Sequence, residues 1–207
     1  RISSIEPTTV PPALLERMAD ATHPLVPFLH LPLQSGADAI LQQMKRRYSV
    51  RDYAAEVERA CRVVPDLCVG TDVMVGFPGE TPEDFEDTRL LLADLPISYF
   101  HVFPFSVRKN TPAERIDKHV PPEVKQERSA ILRSLSQRKQ RMFQERFLGH
   151  TRTVLCEVPK PDGRMGGFTD NYLRVELESG LPELHNQLVP VRLSHIHGAV
   201  LVGQAAT

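Results

Sequence analysis

The chain has 207 residues, 41% of them hydrophobic and 25% charged, with a formal net charge of −1, an ordinary globular composition that excludes intrinsic disorder. No apolar run approaches the roughly 18 residues of a membrane-spanning helix, and the first residues have no charged-then-apolar leader, so a soluble cytoplasmic protein is expected, without a membrane partner. Near-neutral charge excludes a global electrostatic footprint for nucleic acid, and the three cysteines, Cys61, Cys68 and Cys156, are too few and scattered for a disulfide framework or a closed zinc site.

Residues 2–5 read as a strand that starts directly after Arg1, with no initiator Met, and we expect a piece of a longer protein. A helix over 11–19 follows, with Leu14, Leu15 and Met18 as its apolar stripe and a proline in its first turn. Residues 26–31 read as the next strand and 37–44 as the next helix, with Ile40, Leu41 and Met44 on one face. Ser49 and Thr81 are N-cap candidates, each with an acid three residues on and, at Pro82, a proline in the first helical position. Between and after them lie strands at 68–75 and 99–103. This alternation over residues 1 to about 105 is the rhythm of a parallel α/β sheet.

A long helix from Pro121 to Gly149 is expected next, with Val124, Ile131, Leu135 and Met142 or Phe143 near helical spacing and Gly149 as C-cap. It is rich in Lys125, Arg128, Arg133, Arg138, Lys139, Arg141 and Arg146 against Glu123, Glu127 and Glu145. Period-two runs at 151–158, 172–177, 188–193 and 199–202 follow, separated by Pro-Asp-Gly, Gly-Gly and Ser-Gly breakers, and predict a small antiparallel β domain. The expected organisation is thus 1–120 α/β, 121–148 connecting helix and 149–207 β domain.

In parallel α/β proteins ligands gather at the carboxyl ends of strands. Four polar strand ends occur here: Ser3-Ser4-Ile5-Glu6, His30 to Gly36, Asp72 to Glu80 and His101 to Ser106. Singly, each also reads as plain structure, Pro78-Gly79 as a turn, Thr81 as a cap and Gln34-Ser35-Gly36 as a loop. Together they form one rim. Asp72 lies earlier on its strand, and as a carboxylate pointing inward it needs a partner, which we expect from outside this chain. His30, His101, His195 and His197 have no acidic or cysteine neighbour at ligand spacing in the sequence and are expected to be structural, with no metal ligand among them.

The segments Leu31-Pro-Leu-Gln-Ser-Gly36, Met44-Lys-Arg-Arg-Tyr48, Asp72 to Thr81 and Phe105-Ser-Val-Arg108 with Asn110-Thr-Pro-Ala113 closely resemble the radical S-adenosylmethionine methylthiotransferases. Gly167-Phe-Thr-Asp-Asn-Tyr-Leu-Arg-Val175 looks like that family's TRAM domain, a small OB-like RNA-binding β-barrel. Arg1-Ile-Ser-Ser-Ile-Glu-Pro7 and His101 to Ser106 are most similar to the branch acting on N6-threonylcarbamoyladenosine beside the tRNA anticodon, rather than to the isopentenyladenosine branch. The resemblance implies the C-terminal half of a partial TIM-like radical SAM barrel followed by a TRAM barrel. It implies S-adenosylmethionine and two [4Fe-4S] clusters in the whole enzyme. No Cys-x-x-x-Cys-x-x-Cys occurs here, so the resemblance places the clusters, and catalysis itself, in missing N-terminal domains, and this chain alone should be inactive.

By the same resemblance Ser4, Glu6, Gln34, Ser35, Gly76 and Phe77 would line the S-adenosylmethionine side, with Glu80 and Thr81 shaping the turn and capping the helix. Arg108 is a candidate clamp for a substrate carboxylate, or a plain loop arginine. Arg138 and Arg141 would contact phosphates of an anticodon stem-loop, and Phe168 and Tyr172 would stack on unpaired bases, unless they are ordinary core aromatics. A non-catalytic RNA-binding module is the competing expectation.

Overall fold

The computed structural model describes residues 2–161, 164–177 and 182–206. Arg1, and the breaker residues Asp162, Gly163, Ser179 and Gly180, lie outside the described residues, as does Glu178.

The first layer is a three-stranded parallel sheet in the order β1 (Phe28–His30), β2 (Cys68–Val75), β3 (Tyr99–Pro104). Its register pairs His30 with Gly70 and Asp72 with His101. The expected strand at 2–5 is reduced to one parallel bridge, Ile2 to Leu29, because Ser4 turns to φ 55° and breaks the extended run. The segment still lies along β1, since Ile5 donates to His30 O and His30 to Ile2 O.

Helices α1 (Pro12–Ala19), α2 (Asp38–Gln43), α3 (Val50–Val63) and α4 (Pro82–Asp94) follow the expected starts within a residue or two. Both N-cap candidates form complete capping boxes: Ser49 accepts from the Asp52 N–H and Thr81 from the Asp84 N–H, while each aspartate accepts its cap residue's own N–H. The Ser49 N–H and hydroxyl hold the Asp52 carboxyl below its ordinary value. The core beneath the sheet joins Leu29, Leu31, Val69, Val73, Phe100 and Val102 to Leu15, Tyr53, Val57 and Leu92 of the helices.

Helix α5 (Pro122–Glu145) is 24 residues long. Its buried stripe includes Ser129, Leu132, Leu135, Ser136 and Phe143, so Leu135 and Phe143 are buried as expected, whereas Ile131 and Met142 face solvent. Two small hydroxyl positions let the helix lie close on β3, where Ser136 donates to Phe100 O and accepts from its N–H. Leu132 and Leu135 enter the α/β core, whereas Phe143 enters the next one. The helix is therefore shared by two cores, a stronger coupling than a tether.

Beyond it, β4 (Thr151–Cys156), β5 (Met165–Thr169), β6 (Arg174–Leu177), β7 (Leu188–His197) and β8 (Val200–Ala205) close into a barrel in the order β4-β5-β6-β8-β7. All pairs are antiparallel except β6 with β8, a departure from the expected all-antiparallel domain. Strand β5 was masked in the sequence by Gly166-Gly167, read there as a breaker. A Cβ at Gly167 would lie 2.3 Å from Leu155 O, so glycine serves close approach of β4 and not a turn.

The barrel docks on the amino end of the sheet: Phe28 and Cys68 share a cluster with Val154, Val175 and Leu201. Arg152 binds Asp66 at 2.7 Å and Asp170 at 2.8 Å, joining the loop before β2 to the barrel, and Asn171, fully buried, donates to Asp66 O.

Candidate functional site

The carboxyl ends of β1 and β2 carry the expected rim, and the structure separates its members. Gln34, at φ 70°, bridges back to Val73, and its side chain makes no hydrogen bond among the described residues. Ser4, also at positive φ, is exposed with its hydroxyl unengaged. These two can meet a polar ligand. The other four make contacts within the chain. Glu6 pairs with Arg46 at 2.9 Å; Ser35 is buried and accepts from the Ala37 N–H; Gly76 gives its N–H to Glu80; Phe77 packs edge-on against Phe105 at 5.2 Å. Gly76 sits at φ 74°, where the side chain of Lys125 fills the place a Cβ would need.

The Gln34-Ser35-Gly36 run also serves packing. Gly36 donates to the Thr88 hydroxyl, and a Cβ there would lie 2.5 Å from the Thr88 Cα. Helix backbone cannot yield as a side-chain tip can, so Gly36→Ala should cost about 1–3 kcal/mol by overpacking, measured as a lowered urea midpoint with unchanged slope. An unchanged midpoint would mean that α4 is not held against this loop.

Glu80 and Thr81 shape the turn and cap α4 as expected. What sequence reasoning missed is that Glu80 is also half of a buried ion pair with Arg128 of α5. Burial raises its carboxyl above the ordinary value, opposed by the Gly76 N–H and the Arg128 guanidinium.

On the other face of the sheet, β1, β2 and β3 bring together His30, Asp72 and His101. Asp72 finds its partner within this chain, correcting the expectation of one from outside: His30 Nε2 lies 3.3 Å from its Oδ1. The premise that these histidines lack an acidic neighbour fails for the same reason, because a parallel register joins residues far apart in sequence. One ligand atom from each of the three residues lies within 4.8 Å of the others. A cleft of about 270 Å³ lined by Ser3, Ser4, Phe28, His30, Tyr99 and Tyr172 opens beside them.

The expected RNA-facing aromatics are engaged internally. Tyr172 lies 4.6 Å from Phe28 and 4.8 Å from Phe168, the latter in parallel stacking, and Arg174 covers Phe168 at 4.8 Å. The rings thus stack domain on domain. Barrel arginines are likewise paired, Arg164 with Glu176 at 3.0 Å and Arg174 with Glu157. On α5, Lys125 donates to Phe105 O, Arg128 is buried, Lys139 donates to Ala93 O and Leu95 O, and Arg146 lies over Phe143 and Phe147. Arg133, Arg138 and Arg141 remain on the solvent face, with Arg138 on Ser134 and Arg141 on Glu145. Arg108 is exposed in the loop after β3.

The three cysteines are free and occupy α3, β2 and β4. Burial pushes the Cys61 thiol up to about 11 and the Cys68 thiol up to about 12, and raises Cys156. Such thiols are poor nucleophiles and poor cluster ligands. At pH 8 Cys61 and Cys68 should each react with iodoacetamide at least about tenfold more slowly than a peptide cysteine, since only thiolate attacks. Intact-mass measurement checks this, and rapid native labelling of the half-buried Cys61 would refute its raised thiol.

Among the described residues no helix is long and apolar enough to cross a membrane. Residues 1–92 match the model of the Radical SAM superfamily. The chain is 35% identical over 195 residues to the tRNA-2-methylthio-N(6)-dimethylallyladenosine synthase of Pseudomonas aeruginosa strain UCBPP-PA14, covering 93% of this chain and 44% of that protein. It is 32% identical over 197 residues to the threonylcarbamoyladenosine tRNA methylthiotransferase MtaB of Bacillus subtilis strain 168, covering 93% and 43%. The chain therefore spans less than half the length of these relatives. The solved coproporphyrinogen III oxidase (HemN) of Escherichia coli superposes with a TM-score of 0.52 at 21% identity, over 65% of this chain and 32% of that one, a likeness of fold. Residues 1–92 are thus similar to the Radical SAM superfamily, and the chain is similar along nearly its whole length to two tRNA-modifying relatives of more than twice its length.

Proposed function

We propose that this chain is the C-terminal part of a radical SAM tRNA methylthiotransferase that modifies N6-threonylcarbamoyladenosine beside the anticodon. The observation that carries the reading is the fixed coupling of a radical SAM sheet to a closed five-stranded barrel through α5 and Arg152. Such a coupling holds an RNA-binding unit at a set distance from a reaction site. The barrel is read as a TRAM domain and the chain as 1–120, 121–148 and 149–207. The two relatives carry different substrate names at similar identity, so the choice of branch rests on the motifs at residues 1–7 and 101–106.

S-adenosylmethionine, when bound, supplies the methyl group and the radical chemistry. The residues present fit it in part. Ser4 and Gln34 offer unengaged polar side chains at adjoining strand ends, while Glu6, Ser35, Gly76 and Phe77 support the surrounding backbone. The scattered cysteines, on three different elements, do not fit an iron–sulfur cluster, and in this reading both clusters are held by N-terminal domains outside this chain. Arg108, in its exposed loop, would meet the threonyl carboxylate.

Arg138 and Arg141 with the barrel would grip an anticodon stem-loop. Affinity of the chain for such an RNA should fall with salt, because each phosphate neutralised releases counterions. Arg138→Glu with Arg141→Glu should weaken binding alike for all sequences and flatten the salt slope by about one per lost contact. Unchanged affinity would remove α5 from the RNA surface. Nucleoside mass spectrometry of tRNA from a deletion strain tests the reaction itself: loss of the methylthio group from threonylcarbamoyladenosine is expected, loss from isopentenyladenosine would reassign the branch, and no loss would favour an RNA-binding module without catalysis.

A further inference from the structure

We propose that His30, Asp72 and His101 form a mononuclear site for a first-row divalent cation of the Zn2+ or Fe2+ class, distinct from any iron–sulfur cluster and independent of the tRNA reading. Each residue sits on a different strand of one parallel sheet, β1, β2 and β3. Their neighbours Leu29, Val73, Phe100 and Val102 pack into the helical core, and side chains alternate along a strand. The three therefore face the side away from the helices, on rigid elements. Positions fixed by strands are more exactly held than positions on loops, which is what a coordination sphere requires.

The donor set is two imidazoles and one carboxylate. Imidazole suits zinc, iron, copper and nickel, and two histidines with one carboxylate leave further coordination positions open. Ligands at about 2.0–2.1 Å from a tetrahedral Zn2+ stand roughly 3.3 Å apart, and His30 Nε2 and Asp72 Oδ1 are 3.3 Å apart. The set closes within 4.8 Å, and His101, the exposed member, reaches the pair by turning its own side chain.

Two further observations point to a missing group here. Among the described residues Asp72 has no Lys or Arg partner, though three-quarters of its side chain is covered. Among the described residues His30 Nδ1 is buried without a hydrogen-bond partner, and the ring's polar contact is Asp72. A cation would balance the carboxylate and fix the imidazole at once. The cleft at Ser4, Phe28 and Tyr99 gives access for a ligand to the open positions.

The test is anaerobic titration of the 207-residue chain with Co2+, followed by visible absorption and calorimetry, with Zn2+ as competitor. One equivalent should bind with nitrogen–oxygen ligand-field bands, and Zn2+ should displace it. Asp72→Asn and His101→Ala should each weaken binding by about tenfold or more, whereas His195→Ala with His197→Ala should leave it unchanged. Because His101 is exposed, its variant should keep the wild-type thermal midpoint, which separates lost binding from lost fold. Absence of binding, binding that survives both site variants, binding lost with His195 and His197, or a sulfur-to-cobalt charge-transfer band from Cys61 would each overturn the proposal.

Discussion

Arg128→Met should destabilise the chain by about 3–5 kcal/mol, because it strands a buried carboxylate without its counter-charge. Only 8% of the Arg128 side chain and 1% of Glu80 are exposed. The guanidinium also lies 5.1 Å over the Phe85 ring, so one side chain ties α5 to the turn after β2 and to α4. With arginine gone, burial acts on Glu80 against the Gly76 N–H alone, and its carboxyl rises further above the ordinary value of 4.5. A folded-state pKa above the unfolded one means that the folded protein binds the extra proton just above pH 4.5. Stability then falls as pH rises through that window. The Arg128→Met penalty should thus be largest at neutral pH and smallest near pH 4.5. Adding Glu80→Gln should recover much of it, since the amide leaves no buried charge. Urea unfolding at several pH values decides the matter: a penalty below about 1 kcal/mol would show the pair to be solvent-screened.

The elements were legible where local chemistry dictates them. Ser49 and Thr81 announced helix starts because a cap satisfies N–H groups two or three residues away, and the apolar run at 68–75 announced a buried strand at its observed bounds, Cys68–Val75. Failures came where the deciding partner is remote. Gly166-Gly167 reads as a break until the Leu155 carbonyl is seen against it, and the α5 stripe moved to Ser129 and Ser136 because β3 lies so close. The site follows the same division. The rim was readable as polar residues after apolar runs, yet which of them is unengaged depends on Arg46, Ala37, Glu80 and Phe105. His30, Asp72 and His101 each head one of the polar segments of the rim, but nothing in the linear sequence groups the three apart from the others. Only the register of the three strands joins them.

Tyr172→Ala should loosen the contact between sheet and barrel rather than weaken RNA binding at a base. The Tyr172 ring is clamped between Phe28 of β1 and Phe168 of β5, so its removal loses about 1.5–3 kcal/mol of apolar burial and about 0.5–1.5 kcal/mol for each ring pair. Part of the cost has another origin, because Tyr172 holds φ 67°, where alanine is strained and glycine is not. Tyr172→Gly therefore reports loss of the side chain without that backbone strain. Hydrogen exchange supplies the readout. In Tyr172→Gly, protection should fall at β1 and β6, which flank the stack, while α3 and α4 keep theirs. RNA affinity should fall only as far as the loosened docking carries it, equally for every sequence. A base-selective loss of affinity in Tyr172→Gly, with exchange at β1 unchanged, would instead place the ring on RNA and show that the aromatic stack opens when RNA binds.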